Sequence, residues 1–472
     1  MGIRSIGSGD DFITFFGNDN GPLRFSNEMQ ESSFTFRADF DHDMGKGLWM
    51  TDTTNDKRIK LKTGIYSEIK AREFNAREVS YEELALASSS SYDFVGENIA
   101  LDDFASLVSN NDNYYLNDGV STNGLVIQER NDARFNYSGN TNIMAAYVSF
   151  FIPMNIVDVN IGSRFERSTQ SLEGFQDIAG TIPVMINNDY NNFLPYFNST
   201  LHINEKNQLR MAFSKTLNRP ELREMSPFAY FDFNLNQNIQ GGIDVVQAEI
   251  SNYDLRYEFY PTKADLIGVG VFYKSFDNPI ELIRNTGNQF LFVNNKSAQS
   301  IGVEAELRKS LDFISESYLF NHTSVLVNGA LIYSSTKLSN ASNAKLNDLR
   351  PLQGQSPYML NTGVYFKDDS LGLSVNINYN TYGTRLIIGE GPSIDNVPIY
   401  ELSRHFLNMS VGYDITDNWT LTVSGNNLLN NARRLYSDGN FDDKIDLDSE
   451  HDNLFSEFRE GQRIQIGLKY NF

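Results

Sequence analysis

The sequence predicts an all-β protein that crosses a membrane as an antiparallel β-barrel. The first observation is a two-residue period of apolar and polar side chains, which gives a strand one apolar and one polar face. This period is clearest near the end of the chain, where Ile464, Ile466, Leu468 and Tyr470 alternate with mostly polar residues. The second observation is that short and long connections alternate between these segments. Membrane barrels show this alternation because their hairpins have short turns at one end and long loops at the other.

About fifteen segments follow this pattern and are bounded by turn-forming residues. Their approximate spans are 32–42, 57–76, 140–153, 156–170, 192–204, 207–219, 247–260, 264–280, 288–309, 317–336, 357–367, 371–386, 400–414, 418–433 and 455–472. The long connections that we interpret as extracellular loops are 79–140, 169–191, 218–244, 337–356, 387–399 and 436–453.

The composition agrees with a wall that is apolar on one side and wet on the other. The 472 residues include 34 Phe and 24 Tyr, yet only 40% are hydrophobic, which is below the roughly 45–50% of an ordinary globular domain. The alternative is a large soluble β-protein such as a propeller or paired sandwiches. A propeller is disfavoured because the sequence has no repeat at a fixed period of about 40–50 residues.

Composition and motifs also exclude several functions. The net charge of −21 repels phosphate backbones and argues against nucleic acid as a partner. The chain has no Cys, so disulfides, thiolate metal sites and Cys nucleophiles are excluded. The sequence contains no G-x-S-x-G, H-E-x-x-H or phosphate-loop motif, and we therefore expect no enzymatic activity.

Alternation assigns a side of the wall to each strand residue. We expect the apolar residues of one set to face lipid; these are Val157, Ile161, Leu373, Ile377, Leu468 and Tyr470. We expect their polar neighbours Arg164, Asn376 and Lys469 to face the lumen. Tyrosines at strand ends are candidates for interfacial belts; these are Tyr196, Tyr257, Tyr273, Tyr365, Tyr413 and Tyr470.

Several short stretches resemble one family of outer-membrane proteins. The terminal Tyr470-Asn471-Phe472 resembles the C-terminal aromatic signal that the outer-membrane assembly machinery reads. The stretch 218–228 (NRPELREMSPF) resembles an extracellular loop motif of TonB-dependent receptors. Further stretches resemble strand and turn segments of the same receptors; these are 252–258, 276–281, 302–306, 352–358 and 426–430. Together these stretches resemble the Bacteroidota type of TonB-dependent receptor.

The resemblance implies a barrel of about 22 strands that is closed inside by an N-terminal plug. The predicted strands would then form the C-terminal part of that barrel over 32–472, and residues 1–31 the remnant of an extracellular loop. The implied partners are outer-membrane lipid, the plug and N-terminal strands that this chain lacks, the TonB system acting through the plug, and a surface lipoprotein. Phe472 would lie at the periplasmic side. We also expect strand 32–41 not to pair with strand 455–472, because each should pair with one of the missing strands.

The implied function is uptake of a ligand that the sequence does not identify. The alternative is a binding or scaffold barrel in a multi-protein outer-membrane complex, without transport of its own. In the family the loop that begins at 218 borders the ligand vestibule, so the candidate ligand-binding residues are Arg219, Glu221, Phe228 and Tyr230. An ordinary capping turn and mutual packing of the aromatic rings are equally compatible with this pattern.

The last long loop is the one candidate metal site, and no other cofactor is expected. Its oxygen-bearing side chains alternate along the chain in a way that suits Ca²⁺; they are Asp438, Asn440, Asp442, Asp446 and Asp448. The pattern departs from an EF-hand, because Asp443 stands where Gly is expected and Ser449 where Glu is expected. A solvated acidic loop is the alternative.

Two further patterns have a structural and a functional interpretation. Glu304 and Glu306 lie two apart on one strand face, as an acid and base pair would; a charged barrel wall balanced by Arg308 and its neighbours explains them as well. Within the longest loop, 97–108 has an apolar stripe at helical spacing. This stretch predicts a helix at the barrel mouth. The helix would act as a lid or bind a partner lipoprotein, and a folded loop that packs on its neighbours is the alternative.

Overall fold

The structure is a computed structural model. It describes residues 2–5, 11–14, 23–48, 57–83, 98–100, 125–130, 132–232, 235, 237–285, 289–315, 317–339, 349–393 and 395–471. No helix in these residues is long and apolar enough to span a membrane.

Strands make up most of the described chain. The strands of the first half are β1 (Gly2–Ser5), β2 (Asp11–Thr14), β3 (Leu23–Lys46), β4 (Arg58–Glu83), β5 (Asn98–Ala100), β6 (Leu125–Arg130), β7 (Tyr137–Pro153), β8 (Val157–Phe175), β9 (Pro183–Asn204), β10 (Asn207–Asn218), β11 (Ala229–Asp232) and β12 (Gln237–Gln240). The next are β13 (Ala248–Phe259), β14 (Leu266–Asp277), β15 (Ile280–Asn285), β16 (Gln289–Asn294), β17 (Ser297–Ser310), β18 (Thr323–Lys337), β19 (Leu349–Arg350) and β20 (Tyr358–Asp368). The last are β21 (Leu373–Tyr382), β22 (Arg385–Ile388), β23 (Ile399–Glu401), β24 (Arg404–Thr416), β25 (Trp419–Asn426), β26 (Arg433–Ser437), β27 (Asn453–Phe458) and β28 (Arg463–Tyr470). The helices are the short segments Ala133–Phe135, Leu222–Met225 and Tyr318–Asn321.

The principal sheet is a closed barrel of antiparallel hairpins. Its hydrogen-bonded order is β10-β13-β14-β17-β18-β19-β20-β21-β24-β25-β28-β3-β4-β6-β7-β8-β9. The short strands β6 and β19 lie beside β4 and β18, which also pair directly with β7 and β20. The remaining fifteen strands form the wall. The expected all-β fold with an antiparallel barrel of about fifteen strands is confirmed. The sheet closes with these fifteen strands and not with the roughly 22 that the resemblance implies.

The outer face of the wall carries the apolar residues of the two-residue period. Val271 and Val303 lie opposite each other on β14 and β17, and both are exposed. On β28, Ile466 is 75% exposed and Leu468 is 59% exposed. None of the residues predicted to face lipid belongs to the buried core. Exposed aliphatic side chains along successive strands form the surface that a bilayer covers.

The inner face of the wall holds charges in ion pairs within and between its strands. Arg256 donates to Glu258 at 2.9 Å and to Glu306 at 2.6 Å, and Arg210 donates to Glu258 at 2.9 Å. Gly268 lies opposite both glutamates in the strand register. A Cβ at Gly268 would lie 2.7 Å from Nη2 of Arg256, so the glycine makes room for the bridging guanidinium. Glu306 is therefore balanced by Arg256, and the wall interpretation of this glutamate is supported.

Two of the tyrosines proposed for the interfacial belts face inward instead. The hydroxyl of Tyr365 donates to Asn378 at 2.9 Å, and the hydroxyl of Tyr196 donates to Ser149. Both partners lie on the polar face, where a phenol finds hydrogen bonds that lipid cannot offer. The prediction is wrong for these two residues. On the outer face, Tyr253 and Tyr273 lie with ring centroids 6.0 Å apart.

The expectation that the first and last wall strands do not pair is wrong. β28 and β3 are neighbours in the closed barrel. An unpaired strand edge in a membrane costs several kcal/mol for each exposed backbone group, and closure satisfies both edges at once. In this structure the backbone edges of β28 and β3 are therefore hydrogen-bonded to each other.

Several predicted strands are each divided in the structure. The span 371–386 covers β21 and the start of β22, and the span 400–414 covers the end of β23 and most of β24. The span 288–309 comprises β16 and β17, and the span 455–472 comprises β27 and β28. Before β28, Gly461 has a φ of 80°, which a glycine adopts without steric cost. The chain turns there, so the two-residue period continues although the strand changes sheets.

The chain divides into two compact units. One comprises 1–34, 70–141 and 170–187, and the other comprises 35–69, 142–169 and 188–472. The first unit contains the three-stranded sheet β1-β2-β5 and a salt bridge between Arg72 and Glu31 at 2.6 Å. Residues 98–100 form β5, so the helix expected over 97–108 is wrong there; residues 97 and 101–108 lie outside the described residues.

Candidate functional site

The long connections of the second unit fold into two sheets of their own. One sheet has the order β11-β12-β16-β15, and the other has the order β22-β23-β26-β27. We call these two sheets the loop layer. Their strands come from the connections β10–β13, β14–β17, β21–β24 and β25–β28, which all leave the same end of the antiparallel wall. The opposite end has tight turns, such as 205–206 and 417–418.

A short parallel bridge joins the two sheets of the loop layer. Ile283 of β15 pairs with Gly389, directly after β22. The N–H of Arg284 donates to the carbonyl of Gly389 at 2.8 Å, and the N–H of Gly389 donates to the carbonyl of Leu282 at 2.9 Å. Because these bonds connect strands from different hairpins, they hold the loops in one arrangement.

An apolar core lies between the strands of the loop layer. Phe290 and Ile399 are fully buried in it, and the ring of Phe455 lies 6.4 Å from that of Phe290. The buried members are Leu235, Ile239, Leu282, Phe290, Ile388, Ile399 and Leu435. Loops that share a buried core are ordered by the same burial of apolar surface that orders a small domain.

One buried arginine joins three of the long connections. Arg350, in β19, donates from Nη2 to Glu281 at 2.8 Å and pairs through Nε with Glu390 at 2.7 Å. All three side chains are almost fully buried. Burial lowers the pKa of Arg350, but the two carboxylates more than offset this and hold the guanidinium charged. Burial raises the pKa of Glu390, although Arg350 opposes this effect.

The side chain of Gln353 adds neutral hydrogen bonds at the same junction. Its amide oxygen accepts the N–H of Leu282 at 2.8 Å, and its amide nitrogen donates to the carbonyl of Leu282 at 2.9 Å. Its backbone N–H donates to Glu281 at 3.0 Å. Buried backbone groups of β15 are thus satisfied by a residue of another connection.

The four predicted ligand-binding residues each make contacts within the protein. Arg219 pairs with Glu166 of β8, and its Nε donates to Ser168 at 3.3 Å. Glu221 begins the helix Leu222–Met225, where it forms a capping box with Glu224. These contacts match the capping turn that was the alternative interpretation.

Phe228 and Tyr230 pack against each other. Phe228 is 2% exposed, and its ring lies 6.0 Å from that of Tyr230. The guanidinium of Arg223 covers the Tyr230 ring at 4.6 Å. The ligand role of Arg219, Glu221, Phe228 and Tyr230 stays a prediction.

The acidic loop 436–453 is organised by hydrogen bonds to its own backbone. Asp438 is fully buried and accepts the N–H groups of Phe441 and Asp443 at 2.8 and 2.9 Å. Burial raises the pKa of Asp438 to about 6, although these N–H groups oppose the shift. Asp446 accepts the N–H of Asp448 at 3.0 Å.

The calcium hypothesis for this loop stays a prediction. Among the described residues, no three His, Cys, Asp or Glu side chains are grouped as metal ligands. The proposed ligands are Asp438, Asn440, Asp442, Asp446 and Asp448.

The terminal aromatic signal is described in part. Tyr470 is half exposed and contacts Trp419 on β25, with ring centroids 4.8 Å apart. Phe472 lies outside the described residues.

Sequence reasoning missed the residues that organise the loop layer. Glu281 and Arg350 are 69 positions apart, and no short motif connects them. Both lie in or beside stretches that resemble the family, 276–281 and 352–358. The position of Glu281 and Arg350 at these stretches is the one sequence signal that could have indicated a buried structural role for them.

A model of the TonB dependent receptor-like β-barrel matches residues 4–428. The chain belongs to this family. No curated protein matches the chain in sequence.

Solved structures of siderophore receptors share the fold. The ferric yersiniabactin uptake receptor FyuA from Yersinia pestis has a TM-score of 0.57 and 13% identity, covering 98% of this chain and 57% of its own. The siderophore receptor PiuA from Acinetobacter baumannii has a TM-score of 0.54 and 11% identity; the match covers 86% of this chain and 53% of PiuA. FpvA from P. aeruginosa, solved with bound pyoverdines, has a TM-score of 0.52 and 12% identity; the match covers 92% of this chain and 48% of FpvA. The chain therefore spans about half the length of these structures, and the likeness concerns the fold.

Proposed function

We propose that this chain supplies the wall and outer loop layer of a receptor that imports a ligand across the outer membrane. The single observation that carries the proposal is the family match over 4–428. The apolar outer face and ion-paired inner face of the wall are consistent with passage through a lumen in lipid. The ordered loop layer supplies a surface for capture at one end.

In this proposal the loop layer faces outward and the tight turns and C-terminus face the periplasm. A plug carried elsewhere in the receptor closes the lumen, and the energised TonB system of the inner membrane acts on it. A surface lipoprotein is a further proposed partner. The alternative, a scaffold barrel without transport, is not favoured by the family match.

Comparative uptake tests this function even though the ligand is unidentified. Three strains are grown in the same medium supplemented with ferric chelates, cobalamin, glycans and peptides: the parent, a strain lacking this protein and a strain lacking the TonB system. Mass spectrometry follows which compounds disappear from the medium. We expect at least one compound to be spared in both mutants, with uptake restored when the protein is supplied again. Unchanged depletion in the strain lacking this protein would argue for the scaffold alternative.

A further inference from the structure

Three arginines converge on one buried carboxylate where the wall meets the loop layer. Glu401, the last residue of β23, is 1% exposed. Arg385 donates to its Oε2 from Nε and Nη2 at 3.1 and 2.8 Å. Arg433 donates from Nε to its Oε1 at 3.2 Å. Arg404 lies 3.9 Å from Oε1, and the hydroxyl of Tyr382 donates to the same oxygen at 3.0 Å.

Strand ends bring these residues together. Tyr382 ends β21, and Arg385, Arg404 and Arg433 begin β22, β24 and β26 respectively. In the register, Arg385 lies opposite Glu401 and Tyr382 lies opposite Arg404. The cluster is therefore fixed by the ladders of the wall and the loop layer together.

Aromatic rings hold two of the guanidinium groups in place. The guanidinium of Arg385 lies 4.5 Å from the Tyr382 ring centroid, and that of Arg404 lies 4.6 Å from the Phe406 ring centroid. The two rings are 6.2 Å apart. Stacking on aromatic faces stabilises arginine while its N–H edge stays free to bind.

The cluster has more positive than negative charge. Burial raises the pKa of Glu401, but Arg385, Arg433 and Tyr382 more than offset this, so the carboxyl is ionised at neutral pH. The only other acid paired with the cluster among the described residues is Glu460, which lies 3.0 Å from Arg404 and is itself half exposed. Three guanidinium groups thus face two carboxylates. This excess is notable in a chain whose net charge is −21.

Some N–H groups of the arginines remain available to bind a ligand. Arg385 and Arg433 have side chains that are 31% and 25% exposed. Glu401 occupies Nε and Nη2 of Arg385 and Nε of Arg433. In the described part of the chain, Nη1 of Arg385 and both terminal nitrogens of Arg433 have no assigned partner. The Nε of Arg404 is buried without a hydrogen-bond partner among the described residues, in a side chain that is only 6% exposed.

We propose that Arg385 and Arg433, held by Glu401, bind an oxyanion group of the imported ligand, a carboxylate or a phosphate. Guanidinium forks match the geometry of these groups. Glu401 keeps the two guanidinium groups oriented. Its single negative charge neutralises only part of their positive charge, so the rest can attract the ligand. This inference rests on the proposed function, since it names the chemistry that the receptor recognises at its mouth.

The test measures anion binding to the purified full chain in detergent by isothermal titration, with inorganic phosphate and succinate as separate probes. We expect saturable binding of at least one probe that weakens as sodium chloride is added. The Arg433→Gln variant should weaken binding about tenfold, because it removes charge-assisted hydrogen bonds. The matched control is Arg434→Gln, since Arg434 is the next residue on β26 and pairs instead with Glu457 at 3.1 Å; binding should stay within about twofold of the parent value.

A second variant keeps the test valid if Arg433→Gln disturbs the loop layer. Glu401→Gln removes the internal negative charge and should tighten binding, whereas loss of folding would weaken it. Absence of binding for both probes, equal losses in Arg433→Gln and Arg434→Gln, or no tightening in Glu401→Gln overturns the inference. Because purified protein needs no energy coupling, anion binding without uptake would refute the proposed function alone, and uptake without anion binding would refute this inference alone.

Discussion

The guanidinium of Arg350 donates to Glu281 at 2.8 Å across a junction where both side chains are almost fully buried. Arg350 comes from the β18–β20 connection, Glu281 from the β14–β17 connection and Glu390, its second partner, from the β21–β24 connection. Removing one partner of a buried charge pair is strongly destabilising, because it leaves an uncompensated buried charge. Here, one arginine fixes the mutual arrangement of three long loops.

Replacement of Arg350 by Met should destabilise the loop layer by about 3–5 kcal/mol, because Glu281 and Glu390 would stay buried without their cation. Hydrogen exchange measures this as faster exchange over 280–285 and 385–390, with the amides of β24 and β25 unchanged. The control is Arg459→Gln, which removes an exposed pair with Glu457 and should cost at most about 1 kcal/mol. Equal exchange in the two variants would contradict the organising role of Arg350.

The wall could be predicted from the sequence because a two-residue period is a local property. Ile466 and Gln465 differ in chemistry, and that difference alone assigns their sides. The loop layer could not be predicted in this way. Its contacts join residues far apart in the chain, such as Gly389 and Ile283, and their pairing depends on the completed wall.

Specific misassignments have the same origin. Tyr365 is an ordinary strand residue by pattern, and its hydrogen bond to Asn378 and its position opposite Asn376 in the register show that it faces inward. Phe228 is a candidate ligand contact by sequence, because an aromatic residue in a long loop suits stacking; its burial depends on contacts that the sequence does not show. The two-residue period of apolar and polar side chains also cannot show where the chain passes from one sheet to another, as it does at Gly461.

Replacement of Leu468 by Arg should cost about 2–4 kcal/mol if the residue lies near the bilayer midplane. The charge would enter lipid, because Leu468 lies on the outer face and is 59% exposed. Reversible unfolding in urea from lipid vesicles measures the change. Gln465→Arg, on the opposite face of the same strand, should cost much less. A larger cost for Gln465→Arg would reverse the assigned faces.

The acidic loop should become more stable as the pH falls from about 6 to about 4. The pKa of Asp438 is raised to about 6 in the folded loop, whereas an unfolded aspartate titrates near 3.9. Between these values the folded state binds more protons, so stability is lost as the pH rises through this window. Hydrogen exchange of 439–443, corrected for the intrinsic pH dependence, measures the effect. Asp438→Asn should reduce this slope, and the remainder would come from Asp443, whose pKa burial also raises. An unchanged slope in that variant would assign the whole effect to another group.

Replacement of Phe228 by Ala should cost about 3–5 kcal/mol in the loop layer, because a fully buried ring leaves a cavity. Tyr230→Phe keeps the ring contact and should leave the layer folded. Exchange protection over 229–232 and 237–240 distinguishes the two variants. Normal protection in Phe228→Ala would favour the ligand-contact interpretation over the packing one.

We expect the wall to cross the outer membrane with the loop layer outside and the tight turns inside. The chain has no Cys, so a single introduced thiol can be labelled without background. Leu447→Cys lies in the acidic loop at an exposed position, and Lys263→Cys lies in the turn between β13 and β14. A maleimide on a polyethylene glycol too large to enter the lumen should label Leu447→Cys on intact cells, and Lys263→Cys only after the outer membrane is permeabilised. Labelling of Lys263→Cys on intact cells, with Leu447→Cys protected, would contradict this orientation.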